Sequence, residues 1–237
     1  LFFTESQCEG SNPSLTAKKI YCFKLNKNYQ IMKQTTYHAD WQQNRINFVL
    51  SKYPKDYFDG KRILELGAYN GYIGAYFNSL GAEVHCIEGR TENVVNILND
   101  YPHITAEVAN LDIKEWVWGS YDIIINFGLY YHLQNFHKEH LVNCINNCKL
   151  MFFESVIYDS KQPEIYFRNE QGDDQSLTSI GGTPSTSFVE NILKETGVGY
   201  KKYTDSFLNN YQHKYDWPDT GFKIFNEFHR RFWIINN

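Results

Sequence analysis

The sequence has no apolar run approaching the length needed to cross a membrane, and its start lacks the charged, apolar and small-residue succession of a secretory signal. It has no excess of positive charge either: 23 Lys and Arg stand against 27 Asp and Glu, for a formal net charge of −4. No overall field draws such a chain toward nucleic acid, so neither a nucleic acid nor a membrane is the expected partner. The basic pairs Lys18-Lys19, Lys201-Lys202 and Arg230-Arg231 are short and far apart, and each reads as a solvated face. Five cysteines, Cys8, Cys22, Cys86, Cys144 and Cys148, form an odd, scattered set. That argues against a disulfide framework and for reduced thiols, with a cytoplasmic setting expected. Cys144 and Cys148 lie four apart on an expected helix without further ligands at zinc-site spacing, so they are expected in the core. Internal repeats and low-complexity tracts are absent.

What is present fits one α/β domain with some decoration: 237 residues, 17% of them aromatic. Aromatics in that number suit cores, and also pockets that stack on ring-shaped ligands. Residues before about Lys18 are polar and turn-rich, a loose lead-in. Ile20–Leu25 and Tyr29–Met32, flanking Asn26-Lys27-Asn28, predict a hairpin. Asp40, as an N-cap, opens a helix that ends before Pro54. Residues 1–55 are thus expected as an N-terminal extension packing on a domain over 56–237. The chain opens on Leu1 rather than a methionine, so a domain of a larger multidomain polypeptide is one expectation.

From Lys61 the pattern becomes regular. Strands are expected over 61–66, 83–88, 103–108, 121–126 and 150–154, with helices over 71–80, 91–99 and 137–148 between them. Strands alternating with helices predict right-handed βαβ units and a mostly parallel sheet. The stretch 155–182 breaks this rhythm: it is polar, glycine-bearing and long, as functional insertions are. Pro184-Ser185 then starts a helix closed by Gly197, and 200–204, 222–226 and 231–235 are strand-like pieces that close the sheet.

The most informative stretch is Arg62-Ile-Leu-Glu-Leu-Gly-Ala-Tyr-Asn-Gly-Tyr-Ile-Gly74. A buried-strand run ends in Glu65, and Gly67, Gly71 and Gly74 follow on a strand–turn–helix crossing where bare backbone admits a cofactor. A dinucleotide loop wants G-x-G-x-x-G, but Tyr69 stands at its second glycine; a Walker loop is excluded because no Gly-Lys-Ser/Thr follows. Glu65-x-Gly-x-x-x-Gly instead resembles the first motif of class I S-adenosylmethionine-dependent methyltransferases, whose commoner loop has glycine where this chain has Tyr69. The sequel falls at fitting distances. Glu88-Gly89 ends the second strand, where a carboxylate can accept ribose hydroxyls. Asn110-Leu111-Asp112 follows the third strand, and Asn126-Phe127 exits the fourth.

The resemblance implies a Rossmann-like fold with a seven-stranded, mostly parallel sheet, helices on both faces and a C-terminal antiparallel strand. It implies S-adenosyl-L-methionine as cofactor, with Glu65, Gly67, Ala68, Tyr69, Gly71, Glu88, Gly89, Asn110, Leu111, Asp112, Asn126 and Phe127 around it. Gly128-Leu-Tyr-Tyr-His-Leu133 is similar to a turn found in small-molecule and tRNA methyltransferases. His132 there could take the proton of an attacking hydroxyl, since an ordinary imidazole titrates near neutrality, or it could merely cap the next helix. Phe153-Glu154-Ser155, the polar insertion and the helix from Pro184 resemble sugar and other small-molecule O-methyltransferases. That places Glu154 beside His132 in catalysis, and Tyr131, Asp159, Tyr166, Asp173 and Asp174 against a small-molecule or glycan acceptor. The three aspartates could instead hold a divalent metal, although no ligand spacing demands one. A tRNA-modifying methyltransferase, an NAD-linked oxidoreductase and a non-catalytic nucleotide-binding module stay open as alternatives.

Overall fold

In a computed structural model, the structure describes residues 36–172 and 174–237. The expected hairpin over 20–32, the pair Lys18-Lys19 and Asp173 lie outside them. Seven strands form one sheet: β1 (Arg62–Leu66), β2 (Glu83–Glu88), β3 (Thr105–Val108), β4 (Tyr121–Phe127), β5 (Cys148–Val156), β8 (Gly199–Tyr203) and β9 (Arg230–Asn236). Their order is β3-β2-β1-β4-β5-β9-β8, with β9 antiparallel to both its neighbours and the others parallel. A separate hairpin pairs β6 (Ile165–Asn169) with β7 (Ile180–Pro184). The helices are α1 (Thr36–Lys52), α2 (Tyr72–Ser79), α3 (Thr91–Asp100), α4 (His137–Asn146) and α5 (Thr186–Thr196).

Why the sheet is covered on both faces follows from the twofold alternation of strand side chains. On β4, Ile123, Ile125 and Phe127 join one core with Phe77 of α2 and Phe48 of α1, while Ile124 joins the other with Leu141 of α4 and Leu193 of α5. On β5, Leu150 and Phe152 divide from Met151 and Phe153 in the same way. Helix α5 is closed at both ends as its sequence predicts: Ser185 Oγ accepts from Phe188 N (3.1 Å), and Gly197 takes φ +73°.

Three local readings change. Helix α1 starts at Thr36, so Asp40 lies inside it rather than capping it; no Gly or Pro stands between them to stop the helix. Helix α4 ends at Asn146, and Cys148 opens β5 opposite Tyr121. The stretch 222–226 is no strand: it makes a lone bridge, Ile224 to Asp159, and Lys223 at φ +58° turns the chain out of extension. The polar insertion also carries structure of its own, the β6–β7 hairpin. Cys86, Cys144 and Cys148 are buried free thiols. No helix among the described residues is long and apolar enough to cross a membrane.

Candidate active site

A chain that runs outward through β1, β2 and β3 and then returns to β4 leaves a crevice at the carboxyl ends of β1 and β4. A cleft of about 270 Å³ lies there. The glycine turn forms one wall. Gly67 at φ +68° bends the backbone over β2, its N–H donating to Ile87 O (2.8 Å). Tyr69 also takes a left-handed conformation, φ +52°, at the position where the family's commoner loop has glycine. Its N–H is held by Glu88 Oε2 at 2.9 Å, which offsets the roughly 1–2 kcal/mol that a left-handed side-chain-bearing residue costs. Asn70 Oδ1 accepts from Tyr72 N at the start of α2 and from Gln42 Nε2 of α1, so α1 is tied to the turn.

Glu65 is buried behind this wall and does not line the cleft. Its Oε2 accepts from Gly74 N (2.8 Å) and from the Cys86 thiol (3.4 Å), and a Cβ at Gly74 would sit 2.5 Å from that oxygen. Burial pushes the Glu65 carboxyl up to about 7 despite these donors. The glycine at 74 therefore serves the packing of α2 on Glu65, and Glu65 anchors the turn from beneath.

Glu88 and Asp112 both line the cleft, with Gly67, Tyr69, Gly89, Asn110, Leu111 and Phe127. Glu88 Oε1 accepts from Arg90 N (3.0 Å), and the Asp112 carboxylate accepts from Gln134 N and Asn135 N (3.2 and 2.8 Å). Each acid is thus fixed by backbone N–H donors at both of its carboxylate oxygens. Ala68, Gly71 and Asn126 are not part of the lining. The Asn126 amide donates to His140 Nε2 (3.0 Å), and His140 Nδ1 donates to Leu111 O (3.2 Å). Burial lowers His140 to about 4, so this ring stays neutral and braces the β3 exit against β4.

The β4 exit supplies the opposite wall. A short 3-10 turn, Tyr130–His132, buries Tyr130 and brings Tyr131 and His132 to the cleft. His132 Nδ1 lies 2.6 Å from Oε2 of Glu170, which is buried and pairs on its other oxygen with Arg168 Nη2 (2.5 Å). Burial raises the Glu170 carboxyl, but the His132 and Arg168 contacts outweigh it and hold it below the ordinary range. Glu170 follows directly on β6, so the insertion completes the site. Its turn then reaches across to the cofactor side. Arg90 Nη2 donates to Gln175 O (2.8 Å), and a Cβ at Gly89 would meet Leu177 Cδ1 at 2.5 Å.

Glu154 is placed differently from its expectation as a catalytic group. It is fully enclosed and off the cleft lining. Arg45 Nη2 (2.9 Å), Arg230 Nη1 (3.1 Å) and the Tyr215 hydroxyl (3.0 Å) all point at it. Burial raises its pKa, the two guanidiniums more than reverse this, and the carboxylate sits below its usual range. Glu154 is therefore an anchor for two arginines that themselves line the cleft. Arg230-Arg231 is correspondingly no solvated pair: both are buried, and Arg231 binds Asp219 (2.8 Å).

Of the residues expected at the acceptor, Tyr131 and Asp174 line the cleft, and Asp173 lies outside the described residues. Asp159 is buried and spends its oxygens on Gly221 N (2.7 Å) and the Thr220 hydroxyl, and Tyr166 stacks between Tyr158 and Phe225. Neither lines the cleft. Among the described residues no group of three or more His, Cys, Asp or Glu could hold a metal ion. No motif or spacing in the sequence marks Arg45, Arg168, Glu170 or Arg230; the doubled arginine shows there only as charge.

The sequence matches no family model and no curated protein. Solved structures do resemble it. The N-terminal domain of EvdMO1, crystallised in the presence of SAH and D-fucose, superposes with a TM-score of 0.60 at 14% identity, over 84% of this chain and 83% of that one. An S-adenosylmethionine-dependent methyltransferase from Clostridium acetobutylicum gives 0.59 at 12% identity, over 85% and 94%. Magnesium protoporphyrin IX methyltransferase from Synechocystis, with bound SAM, gives 0.57 at 10% identity, over 89% and 86%. The fold is the Rossmann-like fold of S-adenosylmethionine-dependent methyltransferases.

Proposed function

We propose that this chain is an S-adenosylmethionine-dependent O-methyltransferase acting on a hydroxyl of a small hydroxylated acceptor, with a sugar or glycan foremost. The observation that carries this reading is the His132–Glu170 pair, set at the β4 exit in the same cleft as Glu88 and Asp112. The cleft's donor set fits the cofactor: Glu88 suits ribose hydroxyls, and Asn110–Asp112 suits the adenine edge. D-fucose in the EvdMO1 crystal supports preferring a sugar.

When bound, S-adenosylmethionine supplies a methyl group already activated on a sulfonium, so the protein chiefly has to place a nucleophile in line and remove its proton. Glu170 accepts from His132 Nδ1, which fixes the ring's orientation and leaves Nε2 as the base. His132 Nε2 would take the hydroxyl proton as the acceptor oxygen receives the methyl group. Glu170 stabilises the resulting imidazolium. Arg90 Nη2 holds Gly172 O and Gln175 O, and Leu177 packs against Gly89 at the cofactor side of the cleft.

Incubation of the chain with S-adenosylmethionine and a panel of monosaccharides and small glycans tests the reading. A methyl ether and S-adenosylhomocysteine in equal amounts are expected by mass spectrometry. Methylation confined to nitrogen acceptors, or S-adenosylhomocysteine forming with no methylated hydroxyl product, contradicts it.

A further inference from the structure

The acceptor half of the cleft holds a buried charge imbalance. Arg45 of α1 and Arg230 at the start of β9 are 1% and 6% exposed, and both line the cleft. Among the described residues their shared counter-ion is Glu154, with Arg45 Nη2 at 2.9 Å and Arg230 Nη1 at 3.1 Å. Two buried guanidiniums thus face one buried carboxylate, a net charge of +1. The Nε of each arginine is buried without a hydrogen-bond partner among the described residues. Other acids nearby do not redress this. Glu170 is committed to His132 and Arg168, and Glu227 sits on the exposed rim where solvent screens it. An uncompensated buried charge is costly, and a guanidinium fork matches a carboxylate or phosphate.

We infer that the acceptor carries an anionic group, a carboxylate or a phosphate, that seats against Arg45 and Arg230 and so presents a neighbouring hydroxyl of the same molecule to His132. The geometry links the two ends directly. Arg230 Nη2 donates to the Tyr131 hydroxyl (3.3 Å), and the Tyr131 ring lies 4.1 Å from that of His132. Glu88 and Asp112 occupy the cofactor side, where a second anion would be repelled. The inference rests on the methyltransferase reading and narrows its acceptor.

The test is calorimetric titration of the full chain, saturated with S-adenosylhomocysteine, with D-glucose, D-glucuronate and D-glucose 6-phosphate. At least one charged probe is expected to bind about tenfold more tightly than D-glucose, and which of them does so distinguishes carboxylate from phosphate. Arg230→Gln leaves Arg45 and Glu154 as a one-to-one pair, so it is expected to fold, to lose the preference and to keep its S-adenosylhomocysteine affinity. Charged probes binding no more tightly than D-glucose overturn the inference, whether or not the variant folds. Loss of S-adenosylhomocysteine affinity in Arg230→Gln also overturns it, by assigning that guanidinium to the cofactor's own carboxylate. A wild-type chain that binds no S-adenosylhomocysteine is a separate failure, that of the methyltransferase reading itself.

Discussion

Replacing Glu154 with alanine is expected to lower the melting temperature by roughly 10 °C, equivalent to a loss of about 3–5 kcal/mol. The reason is electrostatic rather than a matter of volume. Arg45 and Arg230 are buried, and Glu154 neutralises part of their charge through contacts of 2.9 and 3.1 Å. Without it, two guanidiniums face each other in a site that water reaches poorly, and the Tyr215 hydroxyl loses its acceptor. Glu154→Gln keeps the shape and one acceptor oxygen, so its loss is expected to be smaller. The pH dependence has a definite sign. A carboxylate whose folded pKa is depressed lends stability above its unfolded value of 4.5, and that stability disappears as pH falls through the folded value. The gap between wild type and Glu154→Gln, read by thermal melts, should therefore narrow below about pH 4.5. A Glu154→Ala melting temperature within about 2 °C of wild type would show that the triad contributes little.

Replacing His132 with alanine is expected to lower kcat for methyl transfer by about 10²–10⁴-fold, the usual worth of a positioned general base. Folding and cofactor affinity should be nearly untouched, because the His132 ring faces the cleft and the surrounding backbone is held independently. His132 N bonds Leu129 O (2.8 Å), and Gly182 N bonds Leu133 O (2.7 Å). Glu170→Gln should lose less, since it orients the ring without touching the acceptor, though it also strands Arg168. The ranking decides between roles. A helix-capping or purely structural histidine would lower stability while sparing turnover, and single-turnover rates of His132→Ala within about threefold of wild type would assign the proton elsewhere.

Most of the fold could be read from local pattern. The run Ile123-Ile124-Ile125 announces a strand buried on both faces, and Ser185 with Gly197 brackets α5, because both signals act within a few residues. Glu88 and Asp112 were legible for a related reason: each ends or follows a strand whose carboxyl edge the topology turns toward the crevice. On the acceptor side the lining residues Tyr131, His132 and Asp174 could be named, but not the pairings that hold the site. Glu154 meets Arg230 across 76 residues and His132 meets Glu170 across 38. Neither pairing leaves a trace in spacing. Arg230-Arg231 looked solvated because adjacency reports charge and not depth, whereas β9 inserts between β5 and β8 and carries both side chains inward. The insertion is expected as a functional stretch, but its β6–β7 hairpin is too short and polar to stand out, and with it Glu170 and Arg168 go unmarked. Glu65 shows the converse. Its place at the end of β1 resembles the family pattern, but its carboxyl turns beneath the loop toward Gly74, so it shapes the glycine turn without facing the cleft.

The crevice between β1 and β4 is expected to take S-adenosylmethionine, with Glu88 on its ribose. Isothermal titration of the chain with S-adenosylhomocysteine, and in parallel with NAD, tests it most directly. One-to-one binding of S-adenosylhomocysteine, at least about tenfold weaker binding in Glu88→Ala and no heat with NAD are expected. Binding of NAD in preference, or S-adenosylhomocysteine binding that Glu88→Ala leaves unchanged, would contradict it.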